Sequence, residues 1–138
     1  MLFQKKTIKF IPRDKLIIRR SFAMFFGEGE IWCEDLDALS VHTDLVKNKF
    51  LQDMKSVRRP STPSVVAMNL NETLITSDLA VIFARTLQEA GYAVTRVVYT
   101  GLDSKGKKLI KKAMAIYPPQ YRCAFINDFE KAKLWLVQ

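Results

Sequence analysis

A chain of 138 residues with 49 % hydrophobic and 26 % charged side chains has the size and balance of one globular domain, and can fill a core without disulfide or metal staples. A single histidine, His42, and two cysteines without a Cys-x-x-Cys pair exclude a structural zinc site. The net charge of +8 invites nucleic acid or anionic membrane, but the charges are sorted along the chain: seven basic residues lie between Lys5 and Arg20, whereas positions 28 to 44 hold six acids and no Lys or Arg.

Such blocks mark solvated faces or a self-complementary contact, and they disfavour nucleic acid as the partner. Cys33 and Cys123 are expected as buried, reduced thiols, with a Cys33–Cys123 disulfide as the alternative. No apolar segment of secretory length follows Lys5 and Lys6, and the run Phe22 to Phe26 is too short to span a bilayer, so a cytoplasmic protein is expected.

In chain order, Lys6 to Phe10 and Lys15 to Arg19 read as a β-hairpin around the turn Ile11-Pro12-Arg13-Asp14. Ser21 to Leu39 gives no clear period, apart from a short strand at Glu30-Ile-Trp-Cys33. Val46, Phe50, Met54 and Val57 then recur at helical spacing from Thr43, the expected N-cap, and the helix ends in a Pro- and Ser-rich loop. Ser64 to Leu70 is an unbroken apolar run, the look of a central strand buried on both faces.

Leu79, Ile82, Phe83, Leu87 and Ala90 form one helical stripe, capped by Thr76 or Ser77 and closed by Gly91. A strand from Val94 to Thr100, a helix from Ser104 to Ile116, a strand from Tyr121 to Ile126 and a short helix follow. That last helix is expected to start on a capping box at Asn127 and Glu130. The alternation predicts one α/β domain, a sheet in layers with helices.

The sharpest motif is Gly101-Leu-Asp-Ser-Lys-Gly106-Lys107-Lys108, which fits GxxxxGK between a strand and a helix. Lys108 stands where a phosphate loop carries its magnesium-binding hydroxyl, and no hydrophobic strand ends in a magnesium-binding Asp. The motif therefore reads first as a glycine turn into a lysine-rich helical turn. Its functional alternative is phosphate or nucleotide binding by Gly101, Ser104, Lys105, Gly106, Lys107 and Lys108.

Thr76 and Ser77, at a helix N-terminus after the central strand, can serve as caps or as a phosphorylation switch. Arg58-Arg59-Pro60-Ser61 reads as a loop and His42 as a surface or capping residue. Phe22, Phe25, Phe26 and Trp32 lie in the unassigned segment and are either core or a contact with a partner or a second copy. No carboxylate pair, nucleophile with its base or metal cluster stands at a telling spacing, so neither an enzyme nor a cofactor is expected.

The order of helix 43 to 56, strand ending Val66-Ala-Met-Asn-Leu70, capped turn Thr76-Ser77, helix to Gly91, then strand, helix, strand and helix resembles the STAS fold of bacterial anti-sigma-factor antagonists. The stretch from Phe125 through Ala132 to Trp135 and Leu136 is similar to the ending of small STAS-like bacterial proteins. The resemblance covers positions 40 to 138 and implies an α/β fold with a mixed sheet of about five strands and helices packed mainly on one face, and a regulatory, non-enzymatic module that binds a protein partner or itself. In phosphorylatable members the switch serine lies in an Asp-Ser-Ser-Gly turn; Thr76-Ser77-Asp78-Leu79 stands there, without that aspartate and glycine. Positions 1 to 39 would be an added strand pair or a dimerisation element.

Overall fold

A computed structural model describes residues 16–138. The segment Lys6 to Phe10, expected as half of an opening hairpin, lies outside them, as does Lys15, and residues 16–20 carry no strand. The hairpin that is described falls in the stretch without a clear period: β1, Phe22–Phe26, runs antiparallel to β2, Gly29–Asp35. Gly27, at φ +58°, supplies the left-handed first residue of its two-residue turn. The expected strand at Glu30 to Cys33 is the middle of β2.

From β2 onward the chain alternates: α1 (Thr43–Val57), β3 (Val65–Asn69), α2 (Ser77–Glu89), β4 (Arg96–Thr100), α3 (Ser104–Ile116), β5 (Arg122–Phe125) and α4 (Phe129–Val137), with one 3-10 turn at Gly91–Ala93. The five strands stand in chain order, and β2 to β5 are parallel, so each strand-helix unit steps one place further across the sheet. β3 is the central strand, and its apolar run is buried on both faces, Val66 and Met68 on one and Ala67 on the other.

The two faces are unequal. Val66, Met68, Val97 and Tyr99 meet Phe50, Met54, Phe83, Leu87 and Ile110, which places α1, α2 and α3 together over one side. On the other side, among the described residues, Ile31, Cys33, Ala67 and Val98 receive α4 alone, through Ala132 and Leu136. The fold is thus the expected α/β mixed sheet with helices mainly on one face. Cys33, on β2, is buried, Cys123, on β5, is half-buried, and both are free thiols. Burial pushes Cys33 up to about 11 and Cys123 up to about 12, so neither carries a reactive thiolate at neutral pH.

Two caps sit one residue away from expectation. Thr43 is the first residue of α1, preceded by His42, whose side chain makes no capping bond. α4 is capped by Asp128, whose carboxylate accepts from Lys131 N at 3.2 Å. Asn127 is drawn instead to the β4–α3 loop, because its amide supplies both the acceptor and the donor that this loop needs. Among the described residues, no helix is long and apolar enough to cross a membrane.

Candidate functional site

The connections that leave β2 and β3 are zipped together beyond the strands. Leu36 N donates to Asn69 O at 3.0 Å, Ala38 N to Asn71 O at 2.8 Å, Ser40 N to Glu72 O at 3.0 Å and Leu74 N to Ser40 O at 2.9 Å. The buried Thr73 hydroxyl locks the pair, donating to Leu36 O at 2.5 Å and accepting from Leu39 N at 3.1 Å. Ala38, Ser40 and Glu72 are non-glycine residues with φ of +58°, +50° and +51°. Left-handed backbone costs about 1–2 kcal/mol per residue, a strain that persists only where the surroundings over-determine it.

This double connection sets the first turns of α1 and α2 side by side. Thr76 caps α2, its Oγ1 accepting from Leu79 N at 3.2 Å, and is half-buried; Ser77, the first helical residue, is exposed. A groove of about 450 Å³ opens between the helices, lined by Thr43, Asp44 and Lys47 from α1 and by Thr76, Asp78, Leu79, Val81, Ile82 and Arg85 from α2. Its lining combines the apolar residues Leu79, Val81 and Ile82 with charged residues of both signs. The helical period picks out the buried stripe of each helix but cannot show that Lys47 and Arg85 come together; that needs the topology.

A second cavity, of about 350 Å³, lies at the carboxyl ends of the strands, between Asp37, Asn69, Asn71, Thr100, Gly101, Asn127 and Phe129. Burial and the neighbouring Asp35 raise Asp37 from its ordinary value, and Arg19, at 3.4 Å, partly offsets them. Much of the cavity's polar lining is already engaged. Asn127 Oδ1 accepts from Gly101 N and Leu102 N, each at 3.2 Å, its Nδ2 donates to Leu102 O at 3.1 Å, and Thr100 Oγ1 donates to Asn127 O at 3.0 Å.

The GxxxxGK segment joins β4 to α3 as expected, and its glycine is required: a Cβ on Gly101, at φ +84°, would stand 2.5 Å from Asn71 N. Its amides are used within the chain. Gly101 N and Leu102 N serve Asn127, and Gly106 N donates to the capping carboxylate of Asp103 at 2.7 Å. That carboxylate caps the head of α3. Ser104, Lys105 and Lys108 are exposed, while the Lys107 and Lys111 ammonium groups rest over the Phe125 ring at 5.7 and 5.4 Å.

Of the four aromatics singled out in the sequence, two are packed. Trp32 lies against the three-helix core and donates its indole N–H to Glu34 Oε1 at 3.0 Å, and Phe26 sits under the Lys133 ammonium at 4.5 Å. Phe22 and Phe25 remain 46 % and 82 % exposed.

Sequence reasoning did not find the polar knot beneath β2. Glu34 is fully buried beside Asp53, and Asp53 Oδ2 takes bonds from Lys49 Nζ and Ser21 Oγ, each at 2.8 Å. Burial and the Asp53 carboxylate push Glu34 up to about 9, so it holds its proton at neutral pH. Burial alone would raise Asp53, but the bonds from Glu34, Lys49 and Ser21 outweigh it and hold that carboxyl below its ordinary value. His42 Nε2 makes no hydrogen bond among the described residues, and no cluster of His, Cys, Asp or Glu among them is placed to hold a metal ion. No known protein family, curated protein or solved structure matches the chain.

Proposed function

We propose that the chain is a STAS-like, non-enzymatic regulatory module of a bacterial cytoplasm that binds a protein partner in the groove between α1 and α2. One observation carries this reading: the groove opens beside the N-terminus of α2, where Thr76 and Ser77 stand at the position of the switch turn in the fold it resembles. The order of elements from α1 to α4 supports the same reading.

The groove combines what a partner contact uses. Val81 and Ile82 are half-buried apolar residues with room to lose more solvent, and Lys47 and Arg85 offer cations opposite Asp44 and Asp78. A phosphate on Ser77 would meet the positive end of α2 and, beside it, the Asp78 carboxylate, so its effect falls on the partner rather than on the fold.

The test is affinity capture with the tagged full chain, wild type against Ile82→Glu and Arg85→Glu, each checked for unchanged circular dichroism. A partner retained by the wild type and lost by both variants is the expected result. Capture indifferent to both substitutions would overturn the assignment of the groove.

A further inference from the structure

The sheet has two outer strands, and they are finished differently. β5 is four residues long, begins with the exposed Arg122, and has Lys107 and Lys111 over its Phe125. Short strands and cations of this kind are how sheet edges are kept from pairing. β1 reads Phe22-Ala-Met-Phe-Phe26, with no charge, no proline and no bulge in its register with β2. Its far edge is left unpaired among the described residues.

The direction of that edge's hydrogen bonds follows from the turn. Phe26 and Gly29 close a two-residue hairpin, so Phe26, Met24 and Phe22 bond inward to β2, and Ala23 and Phe25 turn their N–H and C=O groups outward. Phe25 and Ala23, paired with Glu30 and Trp32, lie on the three-helix face; Phe22, Met24 and Phe26 lie on the α4 face.

We propose that β1 is a homodimer contact, in which two copies pair their β1 strands antiparallel about a twofold axis and join their sheets into one. An axis perpendicular to the sheet keeps like faces together, so opposed residues must share a face. Setting Met24 opposite Met24 satisfies this and brings Ala23 opposite Phe25, the two residues whose bonding groups point outward. The same register sets Phe22 opposite Phe26, adding a ring to the exposed Phe22. It also brings the exposed Arg20, two residues before one strand, toward the turn at the end of the other, where the exposed Glu28 stands, once on each side of the axis.

This charge complementarity is what selects a second copy as the occupant. The exposed Arg20 precedes the strand and the exposed Glu28 follows it in the turn, which is the arrangement an antiparallel self-pairing requires, while Arg19 is already held by Asp37. The contact is distinct from the groove between α1 and α2 and stands or falls separately from the function proposed for it.

The test is the mass of the full chain by light scattering and sedimentation across concentration, for the wild type, Phe25→Lys, Arg20→Glu, Glu28→Arg and the double reversal. The wild type is expected to be a dimer. Phe25→Lys and each single reversal should raise its dissociation constant about tenfold or more, and the double reversal should restore it, which no general loss of stability can do. A Met24→Cys variant should form an intermolecular disulfide at the axis, Cys33 being buried. A wild type that stays monomeric overturns the proposal, as does a dimer indifferent to these changes. Dimerisation only after removal of residues 1–15 would show that the leading segment, not a second copy, covers this edge.

Discussion

Asn127, at the end of β5, holds Gly101, at the end of β4, by accepting its N–H at 3.2 Å, and the same oxygen takes Leu102 N. With the return bond from Nδ2 to Leu102 O, one side chain satisfies three backbone groups of the β4–α3 loop. Asn127→Ala should therefore lower stability by about 1–2 kcal/mol, and Asn127→Asp, which keeps the acceptor and loses the donor, by less. Urea unfolding of the three proteins measures this; equal stability of all three would show that the loop is held without Asn127.

The left-handed glycines differ in what surrounds them. Gly91, at φ +58°, has nothing within 4 Å of a built Cβ, whereas Gly101, at φ +84°, would press its Cβ onto the backbone of Asn71 at 2.5 Å. Alanine at position 91 should cost about 1 kcal/mol, the conformational penalty alone. Alanine at 101 adds an overlap that only backbone movement relieves, for a total of about 2–5 kcal/mol. The two midpoints in urea check the ratio, and similar losses at both sites would contradict the close approach of β3 and β4 ends.

How much could be read in advance depended on how local each feature is. α2 and α3 were legible because Leu79, Phe83 and Leu87 or Ile110 and Ala113 repeat at the helical period, and Thr76 and Ser104 mark starts that need no tertiary contact. β1 was opaque because Phe22-Ala-Met-Phe-Phe is apolar on both faces and shows no alternation. Asn127 looks like a cap because Asn caps helices, and its true partners, Gly101 and Leu102, 26 and 25 positions away, meet it only through the β4–β5 pairing and leave no trace in spacing. The α1–α2 groove and the Glu34–Asp53 contact likewise arise only once α1 crosses over β2.

The GxxxxGK resemblance yields a sharp expectation. With Gly101, Leu102 and Gly106 amides engaged and the Asp103 carboxylate at the head of α3, inorganic phosphate and nucleotides have few free donors to meet there. Thermal shifts at low salt with phosphate or a nucleoside triphosphate should be small and equal for the wild type and Lys107→Ala. A ligand at a hundred times its dissociation constant stabilises by about 2.7 kcal/mol, which moves the midpoint by several degrees. A shift of that size abolished by Lys107→Ala would place an anion site in this loop after all.

Glu34 sets an unusual pH dependence. Its carboxyl titrates near 4.5 in the unfolded chain and is pushed to about 9 in the fold by burial and by Asp53, so over that window the folded state binds the proton that the unfolded state has lost. Stability from this group is therefore full below about pH 4.5 and falls as pH rises toward about 9. Asp53 acts in the opposite sense: its depressed value contributes stability above the ordinary carboxylate range, which is lost as pH falls through its folded value. Glu34→Gln keeps a neutral side chain that can still donate toward Asp53 and accept the Trp32 indole N–H. It should leave stability near neutrality unchanged or raised, and should flatten the decline on the alkaline side. Urea midpoints of the two proteins between about pH 5 and about pH 9 measure this. A wild type whose stability rises across that range, or a variant that declines as steeply, would mean that Glu34 is ionised in the fold.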